Sequence, residues 1–168
     1  MIGAEYCRTM AAYNAWQNKS LIDALEDLPP GELGRDRGAF FGSIFATINH
    51  LLWADGVWVA RFDGGERPSG SIADSPRLTE HLSDWRPARE AMDQRITGWA
   101  AKLSDHDLEG DLTWYSGSVG REITRTKALC VVQLFNHQTH HRGQIHAMLT
   151  AAGAEGYVTD VPFTPDGD

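Results

Sequence analysis

The chain has 168 residues with 15 basic and 23 acidic side chains, so its net charge at pH 7 is −8. This length suits one domain with its own hydrophobic core, and 42% apolar residues with 23% charged residues are typical of a globular protein, not of a disordered or fibrous one. The acidic balance and the scattered basic residues argue against nucleic-acid and anionic-membrane partners, because those surfaces bind clustered positive charge.

Targeting features and cysteines favour a cytoplasmic protein. Residues 1–27 lack the basic start and the continuous apolar run of a signal peptide, and no stretch reaches the roughly 18 apolar residues of a membrane span. Cys7 and Cys130 lie far apart in apolar helical context, which predicts buried free thiols in a reducing compartment. We therefore expect a single cytoplasmic domain over residues 1–168.

Hydrophobic periodicity predicts two helices in the first third of the chain. The first is predicted over residues 5–27, and it ends before Pro29-Pro30-Gly31, which cannot continue a helix. The second is predicted over residues 40–62, before Gly64-Gly65. It is apolar on almost every side, as is usual for a helix that is buried on more than one face.

A long connection separates the second predicted helix from the third. Residues 63–78 are rich in Gly, Pro and Ser and are too many for a tight turn, so they predict a crossover connection. The third helix is predicted over residues 79–103 and is more polar than the second. Pro87 is expected either to kink this helix or to mark its first turn.

The hydrophobic period changes before the last helix. Residues 108–126 predict a small β-hairpin with a Gly-rich turn, which must lean on the helices because a lone hairpin is only marginally stable. The fourth helix is predicted over residues 127–152. The fold class is therefore all-α, with a core over residues 5–153 and an acidic tail, 157–168, that is expected to be loose or to dock late.

The fourth predicted helix carries four of the seven histidines. His137 and His141 are four residues apart, so they share one helical face with their β-carbons about 5–6 Å apart. Two imidazoles at this spacing can reach one metal ion. The other residues of that face are apolar: Leu134, Ile145 and Met148. A bare imidazole is costly there unless each ring nitrogen finds a partner.

A candidate for a third ligand lies in the second predicted helix. His50 stands among apolar side chains, and packing of the two helices could bring it to the histidine pair. Three neutral imidazoles would leave a coordination position open for water or substrate, which is the catalytic pattern and not the structural one. The alternative is that all three are hydrogen-bonded core residues, and the residues alone leave both interpretations open.

Four motifs spread over residues 5–153 resemble the DinB/YfiT family, which is unrelated to the DNA polymerase of similar name. They are Tyr13-Asn14-Ala15-Trp16-Gln17-Asn18, Ile48-Asn49-His50-Leu51-Leu52-Trp53-Ala54-Asp55, Asp111-Leu112-Thr113-Trp114, and Phe135-Asn136-His137 with His141-Arg142-Gly143-Gln144. The resemblance implies a four-helix bundle of up-down-down-up topology with a long crossover between helices 2 and 3, often dimeric. It also implies a divalent metal, zinc or nickel first and otherwise another divalent ion, held by His50, His137 and His141.

The same resemblance implies an activity. The wider superfamily includes isomerases and transferases that depend on a low-molecular-weight thiol, together with proteins described as metal-dependent hydrolases. We therefore expect a metal-dependent enzyme that activates a thiol for transfer to, or isomerisation of, a small electrophilic substrate. The alternatives are a hydrolase that uses metal-bound hydroxide and a metal-binding stress-response protein without catalysis. A homodimer is expected.

Six further side chains could support the ion or form the wall of a substrate pocket. For the tryptophans among them, the alternative is packing in the hydrophobic core. For the arginine, the alternative is an ion pair with another helix or subunit. The six are Asn14, Trp16, Trp53, Trp114, Arg142 and Gln144. Two carboxylates are weaker candidates. Asp55 is expected at the surface or beside a ligand, and Glu5 is expected to favour the positive end of the first helix. No catalytic base is identified.

Overall fold

Four long helices and one hairpin make up most of residues 1–165, the part of the chain that the computed structural model describes. The elements are α1 (Ala4–Glu26), α2 (Ile44–Asp63), α3 (Leu82–Lys102), β1 (Asp111–Ser116), β2 (Arg121–Thr126) and α4 (Lys127–Ala151). The prediction of a mostly helical protein with a small antiparallel hairpin directly before the last helix is confirmed. The up-down-down-up order of the helices stays a prediction.

The first and last helices, α1 and α4, match their predicted bounds to within one residue. The second and third, α2 and α3, are shorter than predicted. α2 begins at Ile44 because the Ser43 hydroxyl caps it, accepting the backbone N–H of Ala46 at 3.1 Å. α3 begins at Leu82, so Pro87 lies inside the helix and does not mark its first turn. Residues 40–43 and 79–81 therefore belong to the connections.

The helices pack in a closed arrangement in which α1 contacts α3 and α4, and α2 contacts the same two helices. Side chains from all four helices meet in two buried clusters, represented by Leu21, Ile48, Trp85 and Ile145 in one and by Cys7, Val59, Ile96 and Leu134 in the other. Both cysteines are buried free thiols, as predicted. No helix within residues 1–165 is long and apolar enough to cross a membrane.

A buried ion network crosses the bundle between these clusters. Arg89 of α3 donates to Asp55 of α2 at 2.7 Å and to Asp93 at 2.8 Å, and Asn14 and Asn18 of α1 also donate to Asp93. The expectation of a surface position for Asp55 is wrong, because its pairing with Arg89 keeps it fully buried. Glu5 is exposed in the first turn of α1, where its charge favours the helix dipole.

The segment after α4 turns back onto α1. The Tyr13 hydroxyl donates to the carbonyl of Thr159 at 2.6 Å, and the side-chain amide of Gln17 donates to the carbonyl of Val158 at 2.9 Å. The beginning of the predicted tail is therefore docked and not loose. Its last residues, 166–168, lie outside the described part of the chain.

The crossover connection, residues 64–81, is hydrogen-bonded to side chains of α2. The indole N–H of Trp53 donates to the carbonyl of Ser69 at 2.9 Å, and the backbone N–H of Thr79 donates to the Asn49 side chain at 2.9 Å. A Cβ added to Gly56 would lie 3.0 Å from the ring of Pro68, so a larger residue there would have to push Pro68 outward. The hairpin also packs on α2, through Trp114, whose ring lies 5.4 Å from that of Trp58 between centroids.

Candidate metal centre

The three histidines singled out in α2 and α4 meet in the folded chain. His50, His137 and His141 each present one ring nitrogen, and these nitrogens lie within 4.8 Å of one another. The Nε2 atoms of His137 and His141 are 3.1 Å apart. Imidazole nitrogens bind zinc at about 2.0–2.1 Å, and these three are close enough for one ion to draw them together. The predicted cluster of three histidines is confirmed, and it could hold a metal ion.

The hydrogen bond of His50 fixes its tautomer. His50 Nδ1 lies 2.8 Å from the Ser75 hydroxyl, and that hydroxyl donates its own proton to the carbonyl of Ile72 at 2.7 Å. Ser75 therefore accepts from His50, and the ring proton resides on Nδ1. This leaves a lone pair on Nε2, as a metal ligand requires.

His141 is fixed in the same way by a different partner. Its Nδ1 lies 2.8 Å from Gln144 Oε1, an amide oxygen that can only accept. The proton of His141 is therefore on Nδ1, and its Nε2 lone pair faces His137. Two of the three rings are thus already in the tautomer that binds a metal, held there by outward hydrogen bonds of the kind that support metal-ligating histidines.

Burial keeps all three rings neutral. Loss of solvent, together with the neighbouring rings of His141 and His137, lowers the pKa of His50 to about 3. The same cause lowers the pKa of His137 to about 4 and that of His141 to about 4. The imidazoles are therefore unprotonated at neutral pH, which is the state in which histidine binds metal ions.

An aromatic side chain covers part of the cluster. The ring of Phe41 stacks on that of His50 with 4.0 Å between centroids and lies 5.7 Å from the ring of His141. Phe41 precedes α2, in the segment that the sequence assigned to the helix itself. Its contact lowers the polarity around two of the three rings, which strengthens any electrostatic interaction made there.

A cavity of about 630 Å³ reaches His50 and His137. Its walls come from α2, the crossover connection, the hairpin and α4, and they include Trp53, Trp58, Arg61, Arg67, Ser71, Trp114, Ser116, Ser118 and Gln133. None of the described residues that line it is acidic. A slightly larger hollow of about 660 Å³ shares Arg61 with this cavity and touches none of the three histidines.

The structure divides the predicted supporting residues into two groups. Gln144 contacts a histidine of the cluster, and Trp53 and Trp114 line the cavity. The other three lie away from both: Asn14, Trp16 and Arg142. Asn14 belongs to the buried ion network and accepts a hydrogen bond from Arg142. The arginine thus contacts another helix, the alternative expected from its sequence.

Four side chains at the centre escape sequence reasoning, namely Phe41, Arg61, Arg67 and Ser75. Two of them lie in the crossover connection, where no periodicity fixes which way a side chain faces. Arg61 gave no signal because one arginine near a helix C-terminus is ordinary. The one available hint was the length of the connection, since long ordered loops in compact domains are usually functional.

The chain is similar to known proteins over nearly all of its length. The model of the DinB family matches residues 1–168. Protein DinB of Bacillus subtilis (strain 168) is 26% identical over 166 residues, which cover 94% of this chain and 92% of the relative. The match to the family model therefore spans all four helices and every segment that walls the cavity.

Proposed function

The chain belongs to the DinB family, and on that premise we propose that it is a divalent-metal-dependent enzyme that activates a low-molecular-weight thiol for transfer to, or isomerisation of, a small electrophile. The observation that carries the proposal is the cluster of three buried or half-buried histidines whose nitrogens lie within 4.8 Å, beside a cavity. Three protein ligands with space for a fourth are the arrangement of catalytic metal sites.

The donor set limits which metals fit. An all-imidazole site suits zinc and nickel, as well as copper and iron, and does not suit magnesium or calcium, which prefer oxygen ligands. His50 and His141 would bind through Nε2, because Ser75 and Gln144 hold their protons on Nδ1. We propose zinc or nickel as the resident ion.

The cavity favours chemistry that needs no protein base. None of its described lining residues is a carboxylate, and its only histidines, His50 and His137, belong to the cluster. A divalent ion in this site would supply the missing deprotonation, since a coordinated thiol loses its proton at neutral pH. The chain's own part is to bind and orient: Trp53 and Trp114 line the cavity, where an apolar part of a substrate can contact them.

The test measures thiol conjugation by the purified full-length chain with and without a chelator. A panel of small thiols is mixed with an aromatic electrophile, and the rate is followed by the absorbance of the conjugate. We expect a chelator to abolish turnover and an added divalent ion to restore it. His50→Ala should show no turnover, and His106→Ala should show the same turnover as the parent. His106 is exposed and distant from the cluster.

Other outcomes assign other functions. Metal-dependent cleavage of an ester without any thiol would identify a hydrolase that uses bound hydroxide. Tight metal binding without turnover of either kind would identify a non-catalytic metal protein. Turnover that resists the chelator would reject the proposal. We propose in addition that the protein works as a homodimer, which light scattering of the purified chain tests directly.

A further inference from the structure

The cavity beside the histidines carries positive charge in an acidic protein. The chain has 23 acidic and 15 basic residues, yet the side chains that line this cavity include Arg61 and Arg67 and none of the described acidic ones. A wall formed by chance from this composition would contain more carboxylates than arginines. The positive charge of this cavity is therefore not explained by the composition of the chain, and it favours a negatively charged ligand.

Neither arginine forms an ion pair with a described carboxylate. Other arginines of the chain do: Arg89 pairs with Asp55 and Asp93, and Arg95 pairs with Asp63. Arg61 and Arg67 instead share one cavity, where their like charges repel. Repulsion of this kind is relieved when an anion is held between the two guanidinium groups.

Arg61 is held in place by aromatic rings instead of by a counter-ion. Its guanidinium carbon lies 4.4 Å from the ring centre of Trp58 and 5.2 Å from that of Trp114. These contacts orient the group while leaving its N–H donors free for a ligand. Burial, together with the nearby charge of Arg67, lowers the pKa of Arg61 to about 10, so it remains a cation at neutral pH.

The helix places the arginine in line with the metal ligands. Arg61 follows His50 by eleven residues in α2, a separation that returns to nearly the same helical face about 16 Å further along the axis. A molecule that reaches both the histidines and the arginine therefore extends along α2, whereas a smaller anion can occupy the arginine end alone. Trp53 and Trp114 line the space between and suit a flat apolar body.

We propose that this cavity binds a small organic anion, in which Arg61 and Arg67 hold a carboxylate or phosphate group and the tryptophans pack against an apolar body. The inference rests on the proposed function, because it names the substrate class of the same site. The anion belongs either to the thiol or to the electrophile. Both would present the same negatively charged group to the arginines.

Ligand titrations followed by tryptophan fluorescence test the proposal. The metal-loaded full-length chain is titrated with benzoate and with benzamide, its uncharged analogue. A second pair, 3-mercaptopropionate and 3-mercaptopropionamide, repeats the comparison on a thiol. We expect the anion of at least one pair to bind about tenfold more tightly than its amide. The pair that shows the preference identifies which reactant carries the charge.

Arginine variants locate the preference. Arg67→Gln should weaken binding of the anion about tenfold and leave binding of the amide unchanged. Arg77→Gln is the matched control, because Arg77 is an exposed arginine of the same connection that does not line the cavity. Arg61→Gln should act like Arg67→Gln, and a melting curve shows whether it keeps the fold once the contacts to Trp58 and Trp114 are lost.

A metal-free protein separates this inference from the proposed function. An anion could bind the ion directly, so both titrations are repeated with His50→Ala. The arginine site is supported if His50→Ala still binds the anion more tightly than the amide and Arg67→Gln does not. Three results overturn the inference: equal binding of anion and amide by the parent in both pairs, no binding of any of the four ligands, or an unchanged preference in Arg67→Gln. Absence of metal from the parent would overturn the proposed function alone.

Discussion

The side chains of Ser75 and His50 are joined by a 2.8 Å hydrogen bond although the residues are 25 positions apart in the chain. Ser75 stands in the crossover connection and is 1% exposed, so a segment without regular helical periodicity sets the orientation of a candidate metal ligand. The bond can have only one direction, because the serine proton is already given to Ile72. The connection therefore contributes directly to the chemistry of the site.

Removal of the serine hydroxyl should weaken metal binding without abolishing it. Ser75→Ala frees the His50 ring to rotate and to change tautomer, and the loss of such an outer partner typically lowers metal affinity about 10–100-fold. Competition with a chromophoric chelator measures the change. Ser83→Ala, at an exposed position of α3, should leave the affinity unchanged. Equal affinity of Ser75→Ala and the parent would show that the hydroxyl plays no part.

Removal of any one of the three histidines should abolish stoichiometric metal binding. Protein purified without an affinity tag should carry about one divalent ion per chain, and His50→Ala, His137→Ala and His141→Ala should each carry little, because two ligands hold an ion poorly. Elemental analysis gives the answer directly. The controls are His81→Ala and His106→Ala, both at exposed positions. Equal metal in all five variants would rule out the cluster as the site.

Acid should destabilise the metal-free protein through the same histidines. Their pKa values are about 3 to 4 in the folded chain, against about 6.5 when unfolded. Below about pH 6.5 the unfolded state binds more protons, so the free energy of unfolding falls as the pH drops from there towards 4. Above about pH 6.5 these histidines do not change the free energy of unfolding with pH.

Urea denaturation of chelator-treated protein at about pH 7 and about pH 5 tests this dependence. The parent should lose more of its free energy of unfolding between the two values than His50→Ala does, because the variant has one buried imidazole fewer. The same loss in both proteins would mean that other groups account for the acid sensitivity.

Loss of the buried arginine of the ion network should be far more costly than loss of a surface ion pair. Arg89→Met leaves Asp55 and Asp93 without their cation inside the bundle, and breaking a buried pair from one side costs about 3–5 kcal/mol. Lys19→Ala breaks an exposed pair with Asp23 and should cost no more than about 0.5 kcal/mol. Urea denaturation compares the two, and similar losses would contradict the predicted role of burial.

The helices and the histidine cluster are predictable from sequence because each leaves a periodic signal. His137 and His141 stand four residues apart on an apolar face, and the apolar surroundings of His50 mark its burial. Ser75 gives no such signal, since a serine in a Gly- and Pro-rich stretch is ordinary. The burial of Asp55 is also not predictable from sequence. Helical angles place it away from His50, and its partner Arg89 lies on another helix, a pairing that sequence spacing does not reveal.

The candidate ligands are divided between α2 and α4, with the whole of α3 and the hairpin between them in the chain. During synthesis the nascent chain therefore carries His50 without the other two candidate ligands until α4 has been made. An ion held by this cluster would therefore find its complete set of ligands only in the assembled bundle. Such an ion would favour the folded state by mass action, and its scarcity would then shorten the lifetime of this protein in the cell.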